Sequence, residues 1–67
     1  MAKIQLNGRK VSIKQKISIF DLLKKHKLDN RKVAVELNGT VITKNRYKKK
    51  LIKNNDKIEI VQFIGGG

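Results

Sequence analysis

Apolar and polar residues alternate through Lys3-Ile4-Gln5-Leu6, break at Asn7-Gly8, and resume through Arg9-Lys10-Val11-Ser12-Ile13. Alternation puts successive side chains on opposite faces of a strand. Asn-Gly between two such runs is a strong hairpin signal, because both turn positions need positive φ. A tight loop here pairs Leu6 with Arg9 and Ile4 with Val11. Ile4, Leu6, Val11 and Ile13 then share the face to be buried, while Gln5, Lys10 and Ser12 face water. The grammar returns in Val33-Ala34-Val35-Glu36-Leu37, Asn38-Gly39 and Thr40-Val41-Ile42. Val33, Val35, Leu37 and Ile42 fall on one face there. Only the hairpin grammar recurs, so no internal repeat follows.

Between these hairpins the period changes. Ser18-Ile19-Phe20-Asp21-Leu22-Leu23 predicts a helix start, with Ser18 as the cap and Asp21 three residues on, close to a capping box. Ile19, Leu22 and Leu23, with Phe20 three before Leu23, form a stripe of helical spacing. Lys24, Lys25 and Lys27 suit the negative end of the helix dipole. The helix is expected to end near Lys27, with Leu28 tucking back beneath it. His26 stands alone and has no partner group for acid-base or ligand work. Thr43 can cap a short helical turn over residues 44–50, where Tyr47 and Leu51 are four apart. Lys48-Lys49-Lys50 is a solvated face. Asn54-Asn55-Asp56 makes a turn, and a last strand spans residues 57–64 with Ile58 and Ile60 inward.

The order β-β-α-β-β-β predicts an α+β domain, with one main helix on one face of a mixed sheet. The last strand most simply inserts beside the first and runs parallel to it. That is the β-grasp arrangement of ubiquitin and its prokaryotic relatives. Ile4, Leu6, Val11, Ile13, Leu22, Leu23, Val35, Leu37, Ile58 and Ile60 form the expected core. Val61 and Phe63 break the single-face pattern, because they lie opposite Ile58 and Ile60. One helix covers one side of a sheet, so this outward stripe is expected to dock a partner.

Composition narrows the chemistry. The 67 residues bound a single thin core, expected to be one domain over residues 1–64 followed by a flexible glycine tail over residues 65–67. No cysteine is present and His26 is the one histidine, so a disulfide framework, a thiol nucleophile and a zinc site are all ruled out. No run reaches the length of a membrane span and no signal core opens the chain. The expected setting is cytoplasmic, or a plastid stroma. The net charge of +12 comes mostly from lysine, with Arg9, Arg31 and Arg46 the arginines. Coding bias gives one origin for it, and attraction to acidic partners another. Specific nucleic-acid recognition is not expected, because arginine is scarce and Phe20, Tyr47 and Phe63 do not alternate with basic residues.

The strand ends in Ile64-Gly65-Gly66-Gly67. A frayed terminus is one meaning. The other is a slim lead that carries the Gly67 carboxylate into a narrow site on another protein.

With these motifs in hand, the chain resembles the ThiS family, sulfur carriers of thiamine thiazole biosynthesis. The resemblance rests on Ser18-Ile19-Phe20-Asp21-Leu22-Leu23, Ala34-Val35-Glu36-Leu37-Asn38, Val41-Ile42 before Tyr47, Asp56-Lys57-Ile58 and the Gly66-Gly67 end. It implies that an E1-like adenylating enzyme of the ThiF type uses ATP to form an acyl-adenylate at Gly67. A cysteine desulfurase or other sulfur donor then displaces AMP and leaves a thiocarboxylate. Thiazole synthase of the ThiG type receives the sulfur. Val61, Phe63, Ile64, Gly65 and Gly66 would meet these partners. The chain itself would be a monomer when free, with no bound cofactor or metal and no catalytic site. It lacks paired carboxylates, a base-nucleophile pair and a phosphate loop. The alternatives are a MoaD-type molybdopterin carrier or another ubiquitin-like modifier. From a different class, a basic RNA-binding β-grasp module is the second possibility, and it has no use for a free Gly-Gly end.

Overall fold

In the computed structural model, which describes residues 1–63, both Asn-Gly turns take the left-handed conformations their residues favour. Asn7 and Gly8 have φ of 50° and 81°, and Asn38 and Gly39 have 52° and 85°. The first turn joins β1 (Ala2–Leu6) to β2 (Arg9–Ile13), and the second joins β3 (Val33–Leu37) to β4 (Thr40–Ile42). Leu6 pairs with Arg9 and Ile4 with Val11, as the alternation requires. The last strand, β5 (Lys57–Gln62), lies at the centre of a sheet ordered β2-β1-β5-β3-β4. It runs parallel to β1 and antiparallel to β3. This is the expected β-grasp sheet, mixed and carrying its helix on one face.

The helix α1 (Ile19–Lys25) starts at a complete capping box. The Asp21 N–H donates to Ser18 Oγ at 3.1 Å, and the Ser18 N–H donates to Asp21 Oδ2 at 3.0 Å. These bonds draw the Asp21 carboxyl below its ordinary pKa, the Ser18 backbone N–H being the largest cause. The helix closes two residues earlier than the lysine pattern predicts. Lys27 adopts φ 58°, the position where glycine is usual. Its N–H donates to the Lys24 carbonyl, and the Leu28 N–H donates to the Leu23 carbonyl at 2.9 Å. That pair of bonds is a Schellman closure, and it draws Leu28 back against the core as expected.

Ile19, Leu22 and Leu23 pack with Ile4, Ile13, Val33, Val35, Leu37 and Ile58 in one core. Burying each of the larger side chains contributes about 1.5–3 kcal/mol. Leu6, Val11 and Ile60 are half-buried at its margin rather than sealed within it. Leu6 and Val11 lie on the β1–β2 hairpin at one edge of the sheet, so one side of each stays open.

The segment after β4 departs from expectation. Residues 44–50 form a 3₁₀ turn, Lys44–Arg46, and then further turns, and Thr43 makes no side-chain cap. Ile52, not Leu51, enters the core, and Leu51 is 46% exposed. The helix N-terminus explains this. The Ile19 N–H donates to the Lys50 carbonyl and the Phe20 N–H to the Tyr47 carbonyl, so the segment satisfies two of the donors that a helix start leaves open. The Ile52 N–H then bonds the Ile17 carbonyl at 2.9 Å, which fixes Ile52 inward. Tyr47 fills the space beneath, 1% exposed, and burial pushes its hydroxyl pKa up. The strand β5 stops at Gln62, short of the expected residue 64. Ile64, Gly65, Gly66 and Gly67, and with them the expected tail, lie outside the described residues.

Candidate functional site

The site grows from the outward face of β5. Side chains alternate along the strand, so with Ile58 inward, Lys57, Glu59 and Val61 must point away from the helix. Val61 is 58% exposed, and Phe63, just past the strand, is 49% exposed. Both stand where the sequence places them. Val61 lies opposite Ala34 on β3, which extends the small apolar surface sideways. One further exposed apolar residue, Val41, joins the same face through its partner Glu36. Val41 was legible as an outward β4 position, but alternation alone does not reveal that it belongs with Val61.

Phe63 is anchored by its backbone and not by burial. Its N–H donates to the Lys32 carbonyl at 2.8 Å, which continues the β3 edge beyond the strand. Lys44 Nζ donates to the Arg31 carbonyl at 2.8 Å and stands 5.9 Å from the Phe63 ring centroid. The loop beneath is stiffened by Asp29, whose carboxylate accepts from the Arg31 backbone N–H, Nε and Nη2. The Arg31 side chain is the main reason the Asp29 carboxyl titrates below its ordinary value. A half-exposed ring on a fixed backbone is therefore presented at the end of β5.

The carboxylates are unevenly employed. Asp21, Asp29 and Asp56 each accept a backbone N–H, from Ser18, Arg31 and Lys53. Glu36 and Glu59 instead stand directly opposite one another across β3 and β5. Like charges so placed oppose the pairing. The β1–β2 side of the same outer face is basic. There an open groove of about 550 Å³ at the end of β5 away from Phe63 has Lys3, Lys10 and Lys57 among its lining residues, along with Ile4 and Val11. The outer face is thus divided: basic over β1, β2 and the start of β5, apolar with two carboxylates over β3, β4 and the rest of β5. Among the described residues no group of three His, Cys, Asp or Glu is placed to hold a metal ion. None of the described helices is long and apolar enough to cross a membrane.

The model of the ThiS family matches residues 3–67. The chain belongs to the ThiS family. It is 45% identical over 65 residues to the sulfur carrier protein ThiS of Bacillus subtilis, covering 96% of this chain and 98% of that one. Its fold matches the crystal structure of the thiamine biosynthesis protein ThiS from Geobacter metallireducens with a TM-score of 0.83, at 28% identity over 97% of this chain and 99% of that one. It is also 38% identical over 65 residues to a thiazole synthase of Paramagnetospirillum magneticum, of which it spans 20%. In sequence, Val61 and Phe63 stand just before Ile64-Gly65-Gly66-Gly67. Gly65, Gly66, Gly67 and Ile64 themselves lie outside the described residues.

Proposed function

We propose that this chain is a sulfur carrier of thiamine thiazole biosynthesis, with the Gly67 carboxylate as the group that carries sulfur. The observation that supports this most is its 45% identity, along nearly the whole of both chains, to a sulfur carrier protein. The chemistry agrees. A carboxylate is a poor electrophile until a good leaving group is attached, so an E1-like enzyme first spends ATP to make an acyl-adenylate. The persulfide of a sulfur donor such as a cysteine desulfurase displaces AMP to give an acyl disulfide; a thiol then cleaves its S–S bond, ending as a disulfide with the donor's sulfur, and the released thiocarboxylate passes to thiazole synthase. The thiazole synthase relative supports that last partner, since a stretch like this chain occupies a fifth of its length. The chain's own role is substrate and carrier, and the setting is the cytoplasm or a plastid stroma.

Val61 and Phe63 are the docking stripe in this scheme, with Ile64 beside them. A partner that grips them fixes the root of the chain's end, and the three glycines reach roughly 10 Å further when extended. Glycine leaves the reacting carbonyl unshielded. The test is intact-mass spectrometry after incubation with an E1-like adenylating enzyme, ATP and a sulfur source. Replacement of oxygen by sulfur adds about 16 Da, as expected from attack of a sulfur nucleophile on the adenylate. A variant with one residue added after Gly67 should gain nothing. If the extended protein gains the mass as readily as the native one, Gly67 is not the carrier.

A further inference from the structure

The parallel ladder between β1 and β5 is short, pairing Gln5 with Lys57 and Leu6 with Ile58. It cannot go further, because β1 reverses at Asn7-Gly8. On that side β5 would lose its neighbour at Ile60, just before the outward Val61. The Asn7 side chain fills the gap. Its Oδ1 accepts from the Ile60 N–H at 2.7 Å, and its Nδ2 donates to the Ile60 carbonyl at 3.3 Å. The Asn7 backbone N–H donates to the Ile58 carbonyl at 2.9 Å. A primary amide has a carbonyl acceptor and an N–H donor on the same side, so it can meet one strand residue as the C=O and N–H of two successive peptide groups in a neighbouring strand would. It therefore stands in for the next residue of a strand that is not there.

The turn alone does not require this residue. Position 7 has φ 50°, which glycine or aspartate would also accept. Glycine has no side chain to offer, and aspartate has no donor for the Ile60 carbonyl. The second turn makes the contrast. Asn38 Oδ1 accepts from the Lys57 N–H at 2.8 Å, and its Nδ2 donates to Asp56 Oδ1 at 3.0 Å. Asn38 thus holds the start of β5, whereas Asn7 holds the end from which Val61 and Phe63 are presented.

We propose that Asn7 is a positioning residue for carrier chemistry: its side-chain amide clamps Ile60 so that the docking stripe and the root of the chain's end stay in register with the sheet. This rests on the carrier function proposed above. Without the clamp, only β3 holds Val61, Gln62 and Phe63. The root then spends part of its time away from the docking geometry, and apparent affinity falls by the fraction lost. Once bound, the reacting end is unchanged, so KM moves and kcat does not.

Three variants test this: Asn7→Gly, Asn7→Asp and Asn38→Gly. Each keeps a residue suited to positive φ. Amide hydrogen exchange is read at Phe63, whose N–H bonds Lys32 on the opposite edge and is not itself touched by Asn7. Adenylation is read as ATP–pyrophosphate exchange with an E1-like enzyme. Asn7→Gly should speed Phe63 exchange and raise KM, each about tenfold, as expected for two lost hydrogen bonds, with kcat within about twofold. Asn7→Asp, which keeps the acceptor but sets a carboxylate oxygen against the Ile60 carbonyl, should also speed Phe63 exchange and raise KM; it carries the test if the glycine variant does not fold. Asn38→Gly should leave Phe63 exchange and KM within about twofold, since its contacts lie at the other end of β5. The proposal is overturned if both Asn7 variants match wild type, or if Asn38→Gly shifts both readouts equally. If wild type itself forms no adenylate, the carrier function fails while the exchange arm still decides the clamp.

Discussion

Both faces of the sheet carry apolar side chains, and these come to opposite ends. On the inner face, Val33, Val35 and Ile58 have no measurable exposure beneath α1. On the outer face, Val41 is 66% exposed and Val61 58%. Strand β5 contributes to both, through Ile58 on one side and Val61 on the other. The inner face is where burial supplies folding energy, about 25 cal/mol for each Å² of apolar surface removed from water. The outer face withholds that energy from folding and leaves it available for association, as the proposed carrier role requires. A core as small as this one, with no cysteine to staple it, has little stability in reserve, so leaving valines and a phenylalanine outside is a real cost. It makes sense where a partner covers them.

The largest expected break of this comparison is on the inner side. Leu23→Ala should lower stability by about 2–5 kcal/mol, read by urea unfolding followed by circular dichroism. A loss below about 1 kcal/mol would mean that the inner face is not tightly packed. Phe63→Ala is the outer counterpart. It should change stability by no more than about 0.5 kcal/mol while weakening binding to the adenylating enzyme by about 1–3 kcal/mol, measured calorimetrically. Equal losses of stability for the two variants would erase the distinction between the faces.

A finer cut concerns Glu36 and Glu59, which face each other across β3 and β5. A double-mutant cycle with Glu36→Gln and Glu59→Gln should return a repulsion of about 0.2–1 kcal/mol. Zero coupling at low salt would show that the two carboxylates splay apart. The smallest effect is electrostatic and belongs to the cover of the inner face. The Asp21 carboxyl titrates below its ordinary value of 3.8 because it accepts from Ser18. A depressed folded-state pKa contributes stability that is complete above the unfolded-chain value and is lost as pH falls through the folded one. Asp21→Asn should therefore flatten the fall in stability below about pH 4 and leave the neutral-pH dependence unchanged. An unaltered acid profile would show that the capping box carries no linkage.

Much of this was legible in residues whose meaning is local. Asn7-Gly8 and Asn38-Gly39 demand positive φ wherever they occur, so both hairpins and their registers followed. Ser18 and Asp21 announced the helix start. The outward placement of Val61 and Phe63 followed from parity with Ile58. Local signals failed where a distant backbone decided. Leu51 and Ile52 are adjacent and similarly apolar, and the i,i+4 spacing links only Leu51 to Tyr47. Ile52 turned inward because its N–H reaches the Ile17 carbonyl, a contact between segments far apart in sequence. The charge pattern carries the helix to Lys27, yet Lys27 is the left-handed residue just beyond its end.

What the chain determined by itself is what short-range sterics and solvent preference can set: two turn conformations, the period of each element, the buried side of each strand, and the bare glycines after Ile64. Tertiary structure decided which of these features cooperate. Placing β5 at the centre of the sheet gave the two asparagines different work, one at Lys57 and one at Ile60. It also brought Glu36, Glu59, Val41 and Val61 onto one surface. Neither could be read from spacing, because a side-chain amide has the same turn preference whatever it later meets. Its partner is chosen only when a strand 53 residues away is laid beside it.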